Sequence, residues 1–154
     1  MLRTRQVTIL CRAVAGQREL AAHHALRHRV FVEEQHIFTG SDLDHHDGDP
    51  STIHVVGLVE GVIGGAVRLY PLDADGRWQG DRLAVLPEYR ARALGAPLVR
   101  HAVQTAGQLG GRVMIAHIQL PNVRFFETLG WHKDGGVETY AGLPHQPMAI
   151  DLDL

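Results

Sequence analysis

Two arginines and a glycine stand between an apolar strand-like run and an amphipathic helix, a spacing that can bind an anion. The apolar run covers residues 83–86, the turn after it carries Arg90, Arg92 and Gly95, and helical spacing follows directly. A helix N-terminus offers free N–H groups and a partial positive charge, and guanidinium groups bind phosphate oxygens. An ordinary strand-to-helix turn with solvated arginines has the same pattern, so the spacing alone leaves both interpretations open.

A second candidate for chemistry is the acidic run DLDHHDGD at residues 42–49, with His54 close behind it. Carboxylates and imidazoles bind metals, but this run has neither the EF-hand spacing nor a fixed zinc pattern. We therefore favour solvated loop charge and expect no metal. If the loop lies beside a substrate pocket, its charge would attract a cationic substrate.

The composition is that of an ordinary globular protein. The chain has 154 residues, of which 45% are hydrophobic and 21% charged, so we expect one domain covering residues 1–154. The formal net charge of −2 provides no global basic field for nucleic acid or an anionic membrane. The single Cys11 excludes an internal disulfide framework.

No targeting or membrane segment is expected. Arg3 and Arg5 precede an apolar run that is too short for a signal-peptide core. No stretch approaches the ~18 uninterrupted apolar residues of a membrane span. A cytoplasmic location is the default expectation.

Apolar periodicity predicts the elements that must position these residues. They are, in chain order, strand 6–14, helix 17–35, a loop at 36–50, strands 52–59 and 62–70, a polar turn at 73–80, strand 83–86, a helix with apolar residues 98–109, strand 112–119, helix 121–129, a weak strand 131–138, a loop at 139–147 and strand 148–153. Gly64 and Gly65 indicate a bulge or a close backbone approach. The unit around residues 82–118 requires a parallel strand pair. The order indicates a mixed α/β (α+β) fold.

The segment VLPEYRARALGAPLV resembles the acyl-CoA pyrophosphate loop of GNAT-type N-acetyltransferases, which reads Arg/Gln-x-x-Gly-x-Gly/Ala after a strand. Arg90 and Gly95 match that pattern, whereas Ala93 stands at its first glycine and Ala91 replaces another common glycine. Alanine resists positive φ and keeps a Cβ near the phosphate. These two departures weaken the match without cancelling it.

Other segments resemble a stand-alone bacterial subgroup of the same superfamily, in which VFVxEQ follows the first helix and PHxxM precedes the last strand. They are LRHRVFVEEQ, HDGDPSTIHVV, AHIQ, FFETLGW and GLPHQPM. The resemblance covers nearly the whole chain. It implies a mixed, mostly antiparallel sheet of six or seven strands, flanked by helices and splayed between the fourth and fifth strands. It also implies transfer of an acetyl or other acyl group from an acyl-CoA co-substrate to a small-molecule primary amine, by direct attack in a ternary complex.

The resemblance assigns the donor half of the site. Backbone groups of residues 83–85 would pair with pantetheine, with an N–H near Val85 on the thioester oxygen, and the amides of residues 90–96 would hold the pyrophosphate. Gln119 stands where many relatives have an asparagine that contacts pantetheine, and it could also cap the next helix. The predicted CoA-binding set is Leu83, Ala84, Val85, Arg90, Ala91, Arg92, Ala93, Leu94, Gly95, Ala96, Gln119, Asn122 and Phe126.

The proton chemistry is left open by the resemblance. Phe126 occupies the position at which many relatives have a tyrosine that protonates the leaving thiolate, and a phenyl ring has no proton to donate. The thiolate could leave unassisted, because thiol pKa values lie near ~8.5. Another residue could supply the proton, with His117 and Tyr140 the nearest candidates. The third alternative is a domain that binds acyl-CoA without efficient catalysis.

Four residues form the candidate catalytic set, namely His117, Tyr140, His145 and Glu34. His117 ends the fifth strand at the expected splay, where an imidazole could relay a proton, but it could equally be a core histidine bonded to a backbone carbonyl. His145 lies near the expected acceptor pocket and has the same two interpretations. Glu34 could be a base or an amine anchor, or an exposed glutamate at a helix end.

Two rival functions stay open at this point. Phe126 and Ala93 motivate a non-catalytic acyl-CoA-binding or regulatory module. Acyl transfer from acyl carrier protein would need a basic docking patch, against which the mild acidity of the chain argues. The resemblance also allows a homodimer, while nucleic acid and membrane are not expected partners.

Overall fold

The computed structural model describes residues 7–152, and the side chains of residues 91 and 92 are outside the described set. The strands are Ile9–Ala13 (β1), Ile53–Val59 (β2), Val62–Pro71 (β3), Arg77–Val85 (β4), Val113–Gln119 (β5), His132–Lys133 (β6), Glu138–Tyr140 (β7) and Leu143–Asp151 (β8). The α-helices are Gly16–Arg27 (α1), Gly95–Gln108 (α2) and Val123–Thr128 (α3). One sheet of eight strands has the order β1-β2-β3-β4-β5-β8-β6, and β7 pairs with β8.

The sheet carries its two longest helices on opposite faces. Because side chains alternate along a strand, Ala66 and Val67 of β3 point to different sides. Ala66 lies in a buried cluster with Leu26 at the end of α1, whereas Val67 lies in the larger core that contains Leu98 of α2. We call these the α1 side and the α2 side of the sheet.

The predicted mixed α/β architecture is confirmed, since within residues 7–152 the β4–β5 pair alone is parallel and the other neighbours are antiparallel. The strand count is eight because the weak strand predicted at residues 131–138 is divided into β6 and β7, with Gly135 at φ 100° between them. β4 begins at Arg77 and β8 at Leu143, so both extend into segments predicted as a turn and a loop.

The predicted helix 17–35 is α-helical to Arg27 and continues as a π-helix over His28–Glu34. In that segment the Gln35 amide donates to the carbonyl of Val30 at 2.9 Å. The wider turn keeps Val30 and Phe31 buried against the α1 side of the sheet. Such single-turn π segments recur at functional sites.

Strands β4 and β5 pair over only three residues each, namely Arg77–Gln79 with Val113–Ile115. Beyond Gln79 and Ile115 the ladder stops, although β4 continues to Val85 and β5 to Gln119. The predicted splay between the fourth and fifth strands is therefore confirmed. It leaves a gap through the sheet, bordered by the free edges of two strands.

A β-bulge in β4 lies at this gap. The β3–β4 register shifts by one residue between the pairs Ala66–Ala84 and Arg68–Asp81. Arg82, in the bulge, has φ 53°, in the left-handed region. As a result Asp81 and Arg82, although consecutive, both reach partners on the α1 side, and the strand changes direction at the gap.

Glycines of β3 let the chain after β4 pack closely on the sheet. A Cβ on Gly65 would lie 2.8 Å from Leu98 Cδ1 and 2.9 Å from Leu94 Cδ2, and one on Gly64 would lie 2.6 Å from Tyr89 Cγ. The β2–β3 register also shifts after Gly57, so Gly64 has no partner in the ladder. The bulge, one of the two alternatives predicted for Gly64 and Gly65, is thus found, and the close side-chain contacts fix the start of α2 beside the end of β4.

Within residues 7–152, none of the helices combines the length and the apolar character that crossing a membrane would require.

Candidate functional site

The gap between β4 and β5 opens into a cleft with a volume of about 120 Å³ that is open to solvent. Side chains from β4, β5, α2 and α3 form its walls, together with residues that follow α1. The predicted site residues that line it are Leu83, His117, Gln119, Asn122, Phe126, Tyr140 and His145.

A second cavity lies at the N-terminus of α2. Its lining is Val85, Arg90, Ala93, Gly95, Ala96, Asn122 and Phe125. Asn122 lines both spaces, so the cavity lies next to the cleft. The loop predicted to hold pyrophosphate and the strand end predicted to hold pantetheine thus border two neighbouring spaces.

The start of α2 has the properties of an anion site. Among the side chains that the structure describes, none caps it, since the N-cap residue is Leu94, and the first N–H groups of the helix are left for a ligand. Ala93, which replaces the glycine of the motif, adopts φ 53°. It therefore takes the left-handed conformation that the loop requires, at a cost of about 1–2 kcal/mol relative to glycine.

Arg90 is oriented by two contacts at the mouth of this cavity. Its Nε donates to the carbonyl of Val85 at 3.1 Å. Its guanidinium forms a bidentate ion pair with the Glu34 carboxylate, in which Nη1 lies 3.1 Å from Oε2. Hydrogen bonding from Arg90 lowers the pKa of Glu34. Glu34 does not line the cleft, so the structure places it with Arg90 and apart from the other catalytic candidates.

Two described members of the predicted CoA-binding set contribute no side chain to either space. Ala84 is buried on the α1 side, and Leu94 is buried beneath α2. The side chain of Arg92, like that of Ala91, lies outside the described residues. Only the backbone of Ala84 and Leu94 could take part in binding.

Three catalytic candidates meet on the α1 side of the cleft. The β5–β8 register pairs Gln119 with His145, and the short strand β7 pairs with the same part of β8. The rings of His117 and Tyr140 stack at 5.4 Å between centroids, and Tyr140 meets His145 edge-on at 5.3 Å. The sheet therefore assembles His117, Tyr140 and His145 from three strands that lie side by side.

Their hydrogen bonds distinguish the three residues. His145 is buried, and its Nδ1 lies 2.9 Å from the carbonyl of Leu143, which fits a positioned core histidine. His117 Nδ1 has no partner among residues 7–152, and its Nε2 is 3.6 Å from Glu138 Oε2. Tyr140 Oη accepts from Arg82 Nη1 at 3.1 Å. The hydroxyl proton of Tyr140 is left to be donated elsewhere.

The acidic loop is solvated only in part, so the prediction of solvated loop charge is wrong for Asp42 and Asp47. Asp42 is 2% exposed, and its Oδ2 accepts from Arg27 Nε at 2.7 Å. Asp47 accepts from Arg27 at 2.7 Å and from Arg68 at 3.0 Å. These two carboxylates are neutralised inside the fold by arginines of α1 and β3 and are unavailable to attract a cationic substrate, whereas Asp49 is exposed.

This ion-pair network extends to the cleft through the bulge of β4. Arg68 bonds Asp81 at 2.7 Å and 2.8 Å, and Arg82 donates to the backbone carbonyl of Asp42 at 3.0 Å. Arg82 also lies over the ring of Phe38 at 4.5 Å and bonds Tyr140. The network thus positions the hydroxyl group of Tyr140, which is the one hydroxyl among the four catalytic candidates. The polar pair Asp81-Arg82 inside a strand was the sequence signal that could have identified it.

One group of metal-ligand type lies in the same network, namely His24, Asp47 and His54, whose ligand atoms are within 4.8 Å of one another. Asp47 Oδ1 accepts from Arg27 at 2.7 Å and lies 3.0 Å from His54 Nε2. A guanidinium at that distance opposes a cation electrostatically. Ion pairing alone accounts for the arrangement of these side chains.

Comparison with known proteins places this geometry in context. A family model described as Acetyltransferase (GNAT) family matches residues 19–131. A proposed N-acetyltransferase from Lactobacillus plantarum has 28% identity and a TM-score of 0.81, over 96% of this chain and 99% of that one. An acyl-CoA N-acyltransferase from Pseudomonas aeruginosa has 23% identity and a TM-score of 0.80, over 94% and 99%. The CoA-dependent acyl-homoserine lactone synthase BjaI, solved with SAM and isopentyl-CoA, has 19% identity and a TM-score of 0.76, over 96% and 84%.

Proposed function

This chain belongs to the GNAT acetyltransferase family, and we propose that it transfers an acyl group from an acyl-CoA to the primary amine of a small molecule. One observation carries the proposal. The cleft between β4 and β5 and the cavity at the start of α2 lie side by side and share Asn122 as a lining residue, so one extended ligand could place its thioester in the cleft and a phosphate group in the cavity.

The donor half of the site follows from backbone chemistry. The first N–H groups of α2 and the guanidinium of Arg90 would bind the pyrophosphate. The ladder between β4 and β5 ends at Gln79, so the backbone of residues 83–85 can pair with the amides of pantetheine. Gln119 and Asn122 line the same passage and offer side-chain amides to that arm.

The acceptor half would use the polar groups on the α1 side. The amine nitrogen attacks the thioester carbonyl, the C–N bond forms, the C–S bond breaks, and the thiolate takes up a proton. His117, whose Nδ1 is without a partner in the described part of the chain, would accept the proton that the amine loses. Tyr140 would donate a proton to the thiolate, in place of the tyrosine that Phe126 replaces.

The remaining candidates take supporting roles in this proposal. Glu34 would hold Arg90 at the mouth of the phosphate cavity. His145, fixed by the Leu143 carbonyl, would position the ring of Tyr140, which it meets edge-on. Phe126 packs against Trp131 at 5.4 Å and would serve as an apolar wall.

The net charge of −2 favours CoA over acyl carrier protein as the donor, since docking of a carrier protein would need a basic patch. BjaI, a structural relative, was solved with isopentyl-CoA, and this supports an acyl-CoA donor for the present fold. Acetyl as the acyl group, a homodimer, a single domain over residues 1–154 and a cytoplasmic location stay predictions.

Two measurements test the proposal. Saturating acetyl-CoA should raise the melting temperature, because a ligand that binds only the folded state stabilises it. Release of free thiol from acetyl-CoA should then depend on an added amine, across a panel of amino acids, polyamines and aminoglycosides. A thermal shift without amine-dependent thiol release would favour the non-catalytic module, and the absence of both would contradict the proposal.

A further inference from the structure

The two sides of the cleft differ in chemistry. On the α1 side it is lined by polar groups, among them Arg82, His117 and Tyr140, beside the apolar Phe31, Ile37 and Phe38. On the α2 side its wall is apolar and continues into the main core. That wall consists of Val99 and Ala102 of α2, Met114 and Ala116 of β5, Phe126 of α3, and Trp131.

Small residues create the space on the α2 side. Gly80, Ala102 and Ala116 come from three different elements and all line the cleft. A Cβ on Gly80 would lie 3.1 Å from Met114 Sδ, so a side chain there would narrow the cleft. Gly80 and Ala116 directly follow the last ladder pair, Gln79–Ile115. The small side chains therefore stand where the strands part.

An acetyl group does not use such a space. Its single methyl group needs little apolar surface, whereas this wall is formed by apolar side chains of α2, α3 and β5 and by the indole ring of Trp131. The phosphate cavity lies against the α2 side as well, because Val85 packs on the main core and lines that cavity. A donor bound there can turn an aliphatic chain into the apolar wall while the thioester faces the polar groups opposite.

Resting on the function proposed above, we propose that the α2-side chamber of the cleft is an acyl-chain pocket, and that the donor carries an aliphatic acyl group longer than acetyl. Ala102 and Ala116 set its depth. Each methylene buried in the pocket should strengthen binding about fourfold, until the chain reaches the closed end.

The experiment measures Kd for a series of acyl-CoA thioesters by calorimetry, from acetyl-CoA through butyryl-, hexanoyl- and octanoyl-CoA to isovaleryl-CoA. Affinity should rise with chain length and pass through an optimum beyond two carbons. Equal affinity across the series, or tightest binding of acetyl-CoA, would overturn the acyl-chain pocket. Failure to bind any member of the series would instead overturn the proposed function.

Ala102→Val and Ala116→Val test the location of the pocket. Each should reduce hexanoyl-CoA affinity by about tenfold or more while acetyl-CoA affinity stays within about twofold, since one or two methylene sites are filled. Ala106→Val is the matched control, because Ala106 is buried one turn further along α2 and does not line the cleft. An equal loss for both thioesters, or the same selectivity change in Ala106→Val, would contradict the assignment. If a variant does not fold, the wild-type series decides.

Discussion

At the scale of single residues, Tyr140 has the hydrogen-bonding geometry of a proton donor. Arg82 donates to its Oη at 3.1 Å, and a phenol that accepts from a guanidinium still has its own proton to give. Tyr140→Phe should therefore lower kcat on the order of 10²-fold and leave acyl-CoA affinity unchanged. Thiol release and calorimetry measure the two quantities, and an unaltered kcat would remove Tyr140 from the reaction.

Substitution of His117 should affect turnover more than acyl-CoA binding. His117→Ala should lower turnover more than acyl-CoA affinity, because its imidazole lines the polar wall without a partner for Nδ1 among the described residues. The control is His132→Ala, since His132 is exposed on β6. A loss of affinity equal to or larger than the loss of turnover would show a structural role for His117.

Arg90 should contribute through the donor. Arg90→Ala should weaken CoA binding by about 1–3 kcal/mol if a charge-assisted bond to phosphate is lost. Glu34→Gln, which keeps a hydrogen-bond acceptor for Arg90, should weaken binding less than Arg90→Ala does. Arg100→Ala, which changes an exposed arginine of α2, is the control for calorimetry. If Arg90→Ala binds CoA as tightly as wild type, Arg90 lies outside the site.

At the scale of elements, the contact between β3 and α2 determines where the phosphate cavity forms. Gly65→Ala would place a Cβ 2.8 Å from Leu98 Cδ1 and 2.9 Å from Leu94 Cδ2. Overpacking of this kind costs about 1–3 kcal/mol, and it should shift the start of α2 and weaken CoA binding as well. Urea unfolding and calorimetry measure both effects.

Gly48→Ala provides the control for this substitution, since a Cβ at Gly48 has no heavy atom within 4 Å in the described structure. Its stability should stay within about 0.5 kcal/mol of wild type, which is the usual range for a surface substitution. Equal stability of Gly65→Ala and wild type would mean that α2 can move away from the sheet without cost.

Local sequence patterns predict most of the helices and strands, but not the residues at which they begin and end. The apolar run 83–86 marks only the end of β4, because its earlier residues alternate between the core and polar partners on the α1 side. Trp78 is in the main core, while Asp81 bonds Arg68 of the neighbouring strand. A polar residue inside a strand is mistaken for part of a turn because its partner on the neighbouring strand cannot be identified from the local sequence.

At the scale of the whole molecule, three arginines pair with Asp42 and Asp47 of the acidic loop. Asp42 accepts from Arg27, 15 residues away in the chain, and from Arg82, 40 residues away. Such distant pairing has no signature in a local window, which explains why the loop was predicted to be solvated. The donor half of the site, by contrast, is local: a strand end, a turn and a helix start within one short segment.

Stability should fall as the pH drops below neutrality, because of His23. Burial lowers the pKa of His23 to about 3, while an unfolded histidine titrates near ~6.5. Between these two pKa values, His23 is protonated in the unfolded chain but neutral in the folded chain. Stability is complete above pH ~6.5 and should decrease by about 1.4 kcal/mol per pH unit below it, down to the folded pKa.

The measurement for His23 is urea unfolding at pH 7.5, 6.0 and 5.0, with His23→Gln beside the wild type. Glutamine can keep a hydrogen bond to the Val67 carbonyl, which His23 Nε2 approaches at 3.0 Å, but it does not titrate. The variant should show a shallower pH dependence in this range. Identical slopes for the two proteins would mean that other groups cause the acid sensitivity.

The gap between β4 and β5 also determines how two molecules can meet. Since it passes from one face of the sheet to the other, the thioester and the amine can enter from opposite faces. Both substrates can therefore be bound at the same time. Substrate addition can then be random in order. Free CoA, which would occupy the donor face alone, should inhibit competitively against the thioester and leave the entrance for the amine open.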